Sequence, residues 1–477
     1  MTTPLSPFSR RAFLLTAGTA VALPLLPAVT AQAADPIRTY SLKAAPGPVR
    51  LAPEPFPETI LWTFNGTSPG PEIRVRQGEK VRIVVENALP DDTSVHWHGL
   101  RIPNAMDGVA HLTQPPIPPG GRFVYEFTPP DAGTFWYHPH VHSVLQTNMG
   151  LYGPLIVEEK DPIAVDRELT WVLGDWRLGP DGLVRDNFAS QRDYLRAGRF
   201  GNTVTLSGQV AGSQTFRAGE RVRIRLLNAC DARVFALRFH EHHPKIIALD
   251  GQPVEPFTPP GGQIVLGPAQ RADIILDLDR KPGESFPIID SYYPQAPYEL
   301  VTLKYSDEKP LRSAPPNTPI KLPANPVPKP DLSNPVHLEA VLEGGDMGSL
   351  EKAMVHGIQK TKVEMMAAGK MWAINGVASF HNHMDPMFTV PRGRTAVLTF
   401  RNRTVWPHPM HIHGHSFMVL EHDGNSIQKG CTVDTVLLGG GETAKVAFVA
   451  DNPGDWMLHC HILGHADSGM MTVIRVA

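Results

Sequence analysis

Cysteine is nearly absent: the chain has three in 477 residues, against 48 prolines and 41 glycines. Three thiols cannot all pair, so no disulfide framework holds this fold together. Neither sign of charge dominates. The 44 basic residues stand against 47 acidic ones for a net −3, which gives no electrostatic ground for a nucleic-acid partner. No apolar run makes a good membrane span; the one candidate, residues 14–29, is broken by Gly18, Pro24 and Pro27. Long helical patterns are scarce too, and the proline and glycine content points to short strands joined by turns.

The N-terminus reads as a targeting segment. Ser9-Arg10-Arg11-Ala12-Phe13-Leu14 is a twin-arginine pattern ahead of that apolar stretch, and Ala31-Gln32-Ala33 offers a cleavage site. Residues 1–34 are therefore expected to be a signal peptide handled by the twin-arginine export machinery. The mature protein is expected to be exported folded, to be periplasmic or secreted, and to have no stable membrane anchor.

The chain repeats itself. Residues 80–88 (KVRIVVENA) resemble residues 221–229 (RVRIRLLNA), and residues 395–402 (TAVLTFRN) are a looser third copy. Each is an alternating β-type segment that ends on a turn asparagine. Nine and eleven residues after Asn87 come His96 and His98, and at the same offsets from Asn402 come His411 and His413. The middle copy has Leu237 and Phe239 there instead. A second repeat aligns Phe127, Gly133, His138 and His140 with Phe448, Gly454, His459 and His461, with Pro139 standing where the last copy has Cys460. Repetition at this length means duplicated domains. The expected organisation is a first domain over residues 35–160, a second without metal ligands over 161–306, a Pro-rich linker over 307–335 and a third domain over 336–477. All three read as Greek-key β-sandwiches, with one helical stretch, residues 350–370, at the start of the third.

The chemistry concentrates in the histidines. His459-Cys460-His461 opens a run that continues to His465 and Met470. A thiolate, an imidazole five residues later and a thioether ten residues later supply most of a blue-copper ligand set, and His408 supplies the second imidazole. In a strand, His459 and His461 point one way and Cys460 the other, so one tripeptide touches two metal sites. Four His-x-His pairs, 96/98, 138/140, 411/413 and 459/461, offer eight imidazoles that would hold three further copper ions across a domain interface.

HWHG (96–99), HPH (138–140), HPMHIHGH (408–415) and HCHILGHADSGM (459–470) resemble the four copper signatures of three-domain bacterial multicopper oxidases, the laccase-like and cuprous-oxidase-like family. The resemblance covers essentially the whole mature chain and implies three cupredoxin-like domains and four copper ions. By motif, type 1 copper would take His408, Cys460, His465 and axial Met470. Type 2 copper would take His96 and His411, and the type 3 pair His98, His138, His140, His413, His459 and His461. A small reductant (a phenol, an aryl amine, or a metal ion such as Cu(I) or Mn(II)) would give single electrons at the Cys460 site, near the surface. O₂ would take four of them at the other coppers and become water. Asp107 resembles the family's acidic residue beside that cluster, whereas the glutamate that some relatives carry after the second type 1 histidine is Ala466 here, followed by Asp467. A dedicated Cu(I) or Mn(II) oxidase in metal tolerance is the alternative within the family. A copper-free structural or cell-division relative is the alternative outside it, and retention of all twelve ligand positions argues against that.

Other residues stay open. Cys230 and Cys431 could bridge, but buried unpaired thiols are the favoured reading. His240, His242 and His243 read as a polar loop. His381 and His383, with Met384 and Met387, read as a strand edge or loop, with extra copper binding as the alternative. Met354, Met365, Met366 and Met371 could guide Cu(I), but helix packing is the favoured reading for most of them.

Overall fold

The computed structural model describes residues 37–210, 212–382, 384–424 and 426–477, so the twin-arginine segment and His383 lie outside the described residues. It is built from strands throughout. Strands from Arg38 to Glu158 form two four-stranded sheets, and strands from Arg167 to Tyr305 form a six- and a five-stranded sheet. Strands from Val336 to Val476 repeat that six-and-five arrangement and add a small hairpin. Between residues 306 and 335 there is neither helix nor strand. Among the described residues no helix is long and apolar enough to cross a membrane.

The internal repeat is a repeated piece of sheet. In each copy the strand ending on the turn asparagine lies parallel to the copy's first strand, as in Arg38–Ala44 beside Val81–Asn87. The same pairing recurs at 167–173 beside 222–228 and at 336–342 beside 396–402. The asparagine itself is buried in all three, and its Nδ2 donates to two carbonyls at 2.7–2.9 Å. Its Oδ1 accepts the backbone N–H two residues on, from Leu89, Cys230 or Thr404. A short amide that satisfies three buried backbone groups needs this side chain and no other, which is why the frame ends on Asn each time. The anchored turn sets where the next strand begins. In the outer copies that strand carries the histidines. In the middle copy it is Phe235–Phe239, where Leu237 and Phe239 are fully buried and contribute roughly 1.5–3 kcal/mol each by burial.

The helical expectation for residues 350–370 is corrected. Lys352–Val355 and Ile358–Thr361 pair as a hairpin, and only Lys362–Ala367 is helical. His356 and Gly357 take positive φ, and β-branched Val355, Ile358 and Thr361 flank that turn, so two short strands win over helix. Thr361 and Glu364 then form a capping box that starts the helix. Met365 packs inside with Ala353 and Val355, and Met371 belongs to the main core, while Met354 and Met366 are half-buried. All three cysteines are free thiols, with Cys431 half-buried rather than buried. His240, His242 and His243 do lie in a loop, where His242 is held by the Tyr305 hydroxyl at 2.7 Å.

Candidate metal centre

Antiparallel pairing brings the histidine pairs together within each outer sandwich. His96 faces His138 between strands His96–His98 and Gly133–His138 of the first, and His411 faces His459 in the third. The two sandwiches then meet ring to ring: His96 stacks on His413 at 3.9 Å and His98 on His411 at 3.7 Å between centroids. His138 and His461 approach to 3.4 Å between Nε2 atoms. All eight rings are buried. Strand alternation holds: His459 and His461 join this cluster while Cys460 turns to the opposite side.

Hydrogen bonds fix which nitrogen faces inward. The Nδ1 of His96 donates to the Asp107 carbonyl (2.8 Å), that of His411 to the Asp434 carbonyl (2.8 Å), and that of His413 to Asp107 Oδ2 (2.9 Å). The Nδ1 of His459 donates to the Cys460 carbonyl at 2.9 Å. Each Nε2 is therefore left with a lone pair. His413 and His459 then present bare Nε2 lone pairs to each other at 3.1 Å, an arrangement that repels unless a cation lies between them. The buried Nε2 atoms of His96 and His411, Nδ1 of His98 and His461, and both nitrogens of His140 have no hydrogen-bond partner. Buried polar atoms without partners are rare and call for a missing ligand, and neutral imidazole nitrogen is a copper donor.

Protonation agrees. Burial, reinforced by neighbouring imidazoles, holds His98, His138, His140, His413, His459 and His461 well below the ordinary histidine value. These rings are neutral near pH 7 and available as ligands.

The second centre is smaller. Cys460 Sγ lies 3.5 Å from His408 Nδ1 and 3.6 Å from His465 Nδ1, and the two nitrogens are 3.1 Å apart. The middle of that triangle is about 2 Å from each corner, the length of a metal–imidazole bond. His408 Nε2 donates to the Thr404 hydroxyl (2.9 Å) and His465 Nε2 to the Arg196 carbonyl (2.5 Å), so both Nδ1 lone pairs face the sulfur. Burial pushes the Cys460 thiol up, so its thiolate forms only against a cation. It also drops His465 to about 3 and holds His408 well below the usual range. Met470 is buried, and its carbonyl accepts from Cys460 N–H at 3.1 Å. The ring of Trp372 lies against His465 at 4.2 Å.

Three matches cover most of the chain: family models described as multicopper oxidase align with residues 48–162, 167–307 and 356–477. The chain belongs to the multicopper oxidase family. It is an oxidoreductase by that membership, and the family implies copper at these histidines. Multicopper oxidase MmcO of Mycobacterium tuberculosis is 31% identical over 91% of this chain and 86% of its own length. Laccase-2 of Fomitopsis schrenkii is 30% identical over 87% and 85%. Among solved structures, a multi-copper oxidase from Pseudomonas thermotolerans superposes with a TM-score of 0.81 at 35% identity, covering 92% of this chain and 99% of that one. A Campylobacter jejuni multicopper oxidase described as a metallo-oxidase gives 0.76 at 27% identity, covering 93% of each. The fold is that of these cupredoxin-like sandwiches.

The multicopper oxidase sites contain residues that no sequence pattern indicated. Asp434 reaches both His98 (3.1 Å, Oδ1 to Nε2) and His411 through its carbonyl, yet it sits in an unremarkable segment, TVDTV. Burial pushes its carboxyl up, but Arg271 and His411 outweigh that and hold it low. Asp107 was legible from its place after HWHG, and it is buried against His413 and His96. Ala466 is packed in a small apolar cluster, and Asp467 instead pairs with His381 at 2.7 Å. That pair lines a cavity of about 360 Å³ that also reaches His140, His142 and Lys370. The His465 side chain is wholly buried under the Arg196 peptide of the middle sandwich, and Arg196 itself is exposed, so a single layer of chain separates the Cys460 site from solvent.

Proposed function

We propose that this protein couples one-electron oxidation of a small reductant to the four-electron reduction of O₂ to water, with four copper ions. The observation that carries this reading is the pair of facing lone pairs on His413 and His459, together with their unpartnered neighbours. When bound, copper supplies the one-electron redox chemistry that no protein side chain here provides.

The chain's own residues hold and orient. His408, Cys460, His465 and Met470 would hold type 1 copper, His96 and His411 type 2, and His98, His138, His140, His413, His459 and His461 the type 3 pair. Cys460 is bonded through the backbone to His459 and His461, so the two centres are one peptide apart. Asp107 keeps the Nδ1 proton of His413 at Oδ2 and is the carboxyl placed to hand a proton to the cluster. Export by the twin-arginine route to the periplasm or beyond fits a protein that folds around its metal first.

The reductant we assign is broad: phenols and aryl amines, as the laccase names among its relatives suggest. A second reading, a Cu(I) or Mn(II) oxidase, is favoured by the cover over His465, whose Nε2 is taken by the Arg196 carbonyl and so is closed to an aromatic substrate. Purified, copper-loaded protein is expected to carry about four copper ions and to be blue, and Cys460→Ser to lose the colour while keeping the other three. One copper or none per chain sinks the oxidase reading. Rates with a phenol and with Cu(I), measured side by side as O₂ uptake, decide the substrate. Met354, Met365, Met366 and Met371 all changed to Leu should leave phenol oxidation intact. If the parent barely oxidises phenols and that variant loses Cu(I) oxidation, the metal-ion reading replaces the phenol one.

A further inference from the structure

The middle sandwich supplies no metal ligand, yet it reaches the histidine cluster. Arg271 opens its strand Arg271–Asp277 and is wholly buried. Its guanidinium clamps Asp434 with two parallel bonds, NH1 to Oδ1 at 2.9 Å and NH2 to Oδ2 at 2.6 Å. Its Nε donates to the Thr134 carbonyl of the first sandwich at 3.1 Å, so one side chain touches all three sandwiches. Asp250, also in the middle sandwich, completes the grip. Its Oδ1 accepts from Arg271 N–H (2.9 Å), and its Oδ2 accepts from Thr435 N–H (3.2 Å) and Asp434 N–H (3.4 Å). Space is made for the clamp: a Cβ on Gly99 would lie 2.4 Å from Arg271 NH2 and 2.5 Å from Asp434 Oδ2.

Asp434 passes this restraint to two rings from different sandwiches. Its Oδ1 accepts from His98 Nε2–H, leaving His98 Nδ1 bare, and its carbonyl accepts from His411 Nδ1–H, leaving His411 Nε2 bare. Without the arginine, a buried carboxylate has no counter-charge and no fixed plane, and either ring is free to turn or change tautomer. We propose that Arg271 is a positioning residue that, through Asp434, sets the orientation and tautomer of His98 and His411 and so the copper affinity of the cluster. The middle sandwich, stripped of ligands, thereby acts as the clamp on the site that the outer two build.

The inference rests on the copper reading, so the parent protein is measured first: a parent with no copper beyond the Cys460 site sinks that reading. The variants Arg271→Met, Asp434→Asn and the double variant are loaded with copper and titrated with a chelator. Blue absorbance reports the Cys460 site, and the type 2 electron paramagnetic resonance signal reports the cluster. Each single variant is expected to bind the non-blue coppers at least about tenfold more weakly with the blue band unchanged, and the double variant no more weakly than the worse single. Cluster affinity within about twofold of the parent, loss of the blue band in proportion, or additive effects in the double each overturn the proposal. If Arg271→Met does not fold, Arg271→Lys decides. Lysine keeps the charge but cannot make two parallel bonds, so a weakened cluster with an intact blue band supports the clamp and an unchanged cluster overturns it.

Discussion

The carbonyl of Arg196 accepts a hydrogen bond from His465 Nε2 at 2.5 Å, so a peptide of the middle sandwich closes over a ligand of the third. The cover is tied down on both sides. Tyr194 O accepts from Trp372 Nε1 (2.6 Å), Leu195 O accepts from Asp346 N–H (2.7 Å), and Arg196 pairs with Asp346 at 2.9 Å. That ion pair is nearly half exposed and adds at most about 1 kcal/mol. The backbone bonds and the close packing matter more.

Gly198 tests the cover. It sits at φ +91°, and a Cβ there would lie 2.5 Å from Ile462 Cγ2 and 2.6 Å from Ala232 Cβ. Gly198→Val is expected to cost roughly 1–3 kcal/mol and to lift the cover from His465. The blue absorption should shift, and KM for a bulky phenol should fall. An unchanged spectrum together with an unchanged KM would show that the cover does not govern access.

Ligand and core positions should separate cleanly. His413→Ala is expected to leave blue copper in place while abolishing O₂ uptake, because its Nε2 faces the cluster and not Cys460. Leu237→Ala, at the middle copy's counterpart of the neighbouring ligand His411, is expected to cost about 2–5 kcal/mol and keep every copper. Thermal unfolding and metal analysis of both variants check the pair. Normal O₂ uptake by His413→Ala, or selective copper loss by Leu237→Ala, contradicts the assignment.

Asp107→Asn keeps the backbone carbonyl that holds His96 but removes the carboxylate that faces His413. Copper content and colour are expected to persist. Reoxidation of the reduced protein by O₂ should slow by about a hundredfold or more, the contribution typical of a placed proton donor. Stopped-flow reoxidation at the parent rate would leave Asp107 a structural role only.

Asp231 is no copper ligand itself but holds the Leu463 N–H beside the Cys460 site, and its buried carboxyl gives a pH signature of stability. Burial raises its carboxyl from 3.8 to about 7, against the opposing bonds from Asn148 and Leu463 N–H. The folded chain holds this proton more tightly than the unfolded chain, so the stabilisation is complete below about pH 4 and is lost as pH rises through 7. The change is on the order of 4 kcal/mol across that window. Asp231→Asn keeps the shape without the titration. The difference in stability between parent and variant should therefore swing toward the variant from pH 4 to 7, and a constant difference would mean that Asp231 is ionised throughout.

What the sequence determined by itself was whatever is local or repeated. Asn87, Asn228 and Asn402 mark three copies of one strand-and-turn frame, because the same buried backbone groups need the same amide each time. The fixed offsets to His96, His98, His411 and His413 follow from that anchor, and the opposite facing of Cys460 between His459 and His461 follows from strand geometry. Tertiary structure alone decided what depends on residues far apart in the chain. Arg271 meets Asp434 and Arg196 meets His465, through charges or backbone groups that carry no motif. The failed helix over residues 350–370 is a different case, a local turn at His356-Gly357 that closes a hairpin composition alone did not favour. Exposure of His465 was likewise beyond reach of the sequence: a ligand's distance from solvent is set by whichever segment packs over it, and here that segment lies some 270 residues away, 269 by count from Arg196.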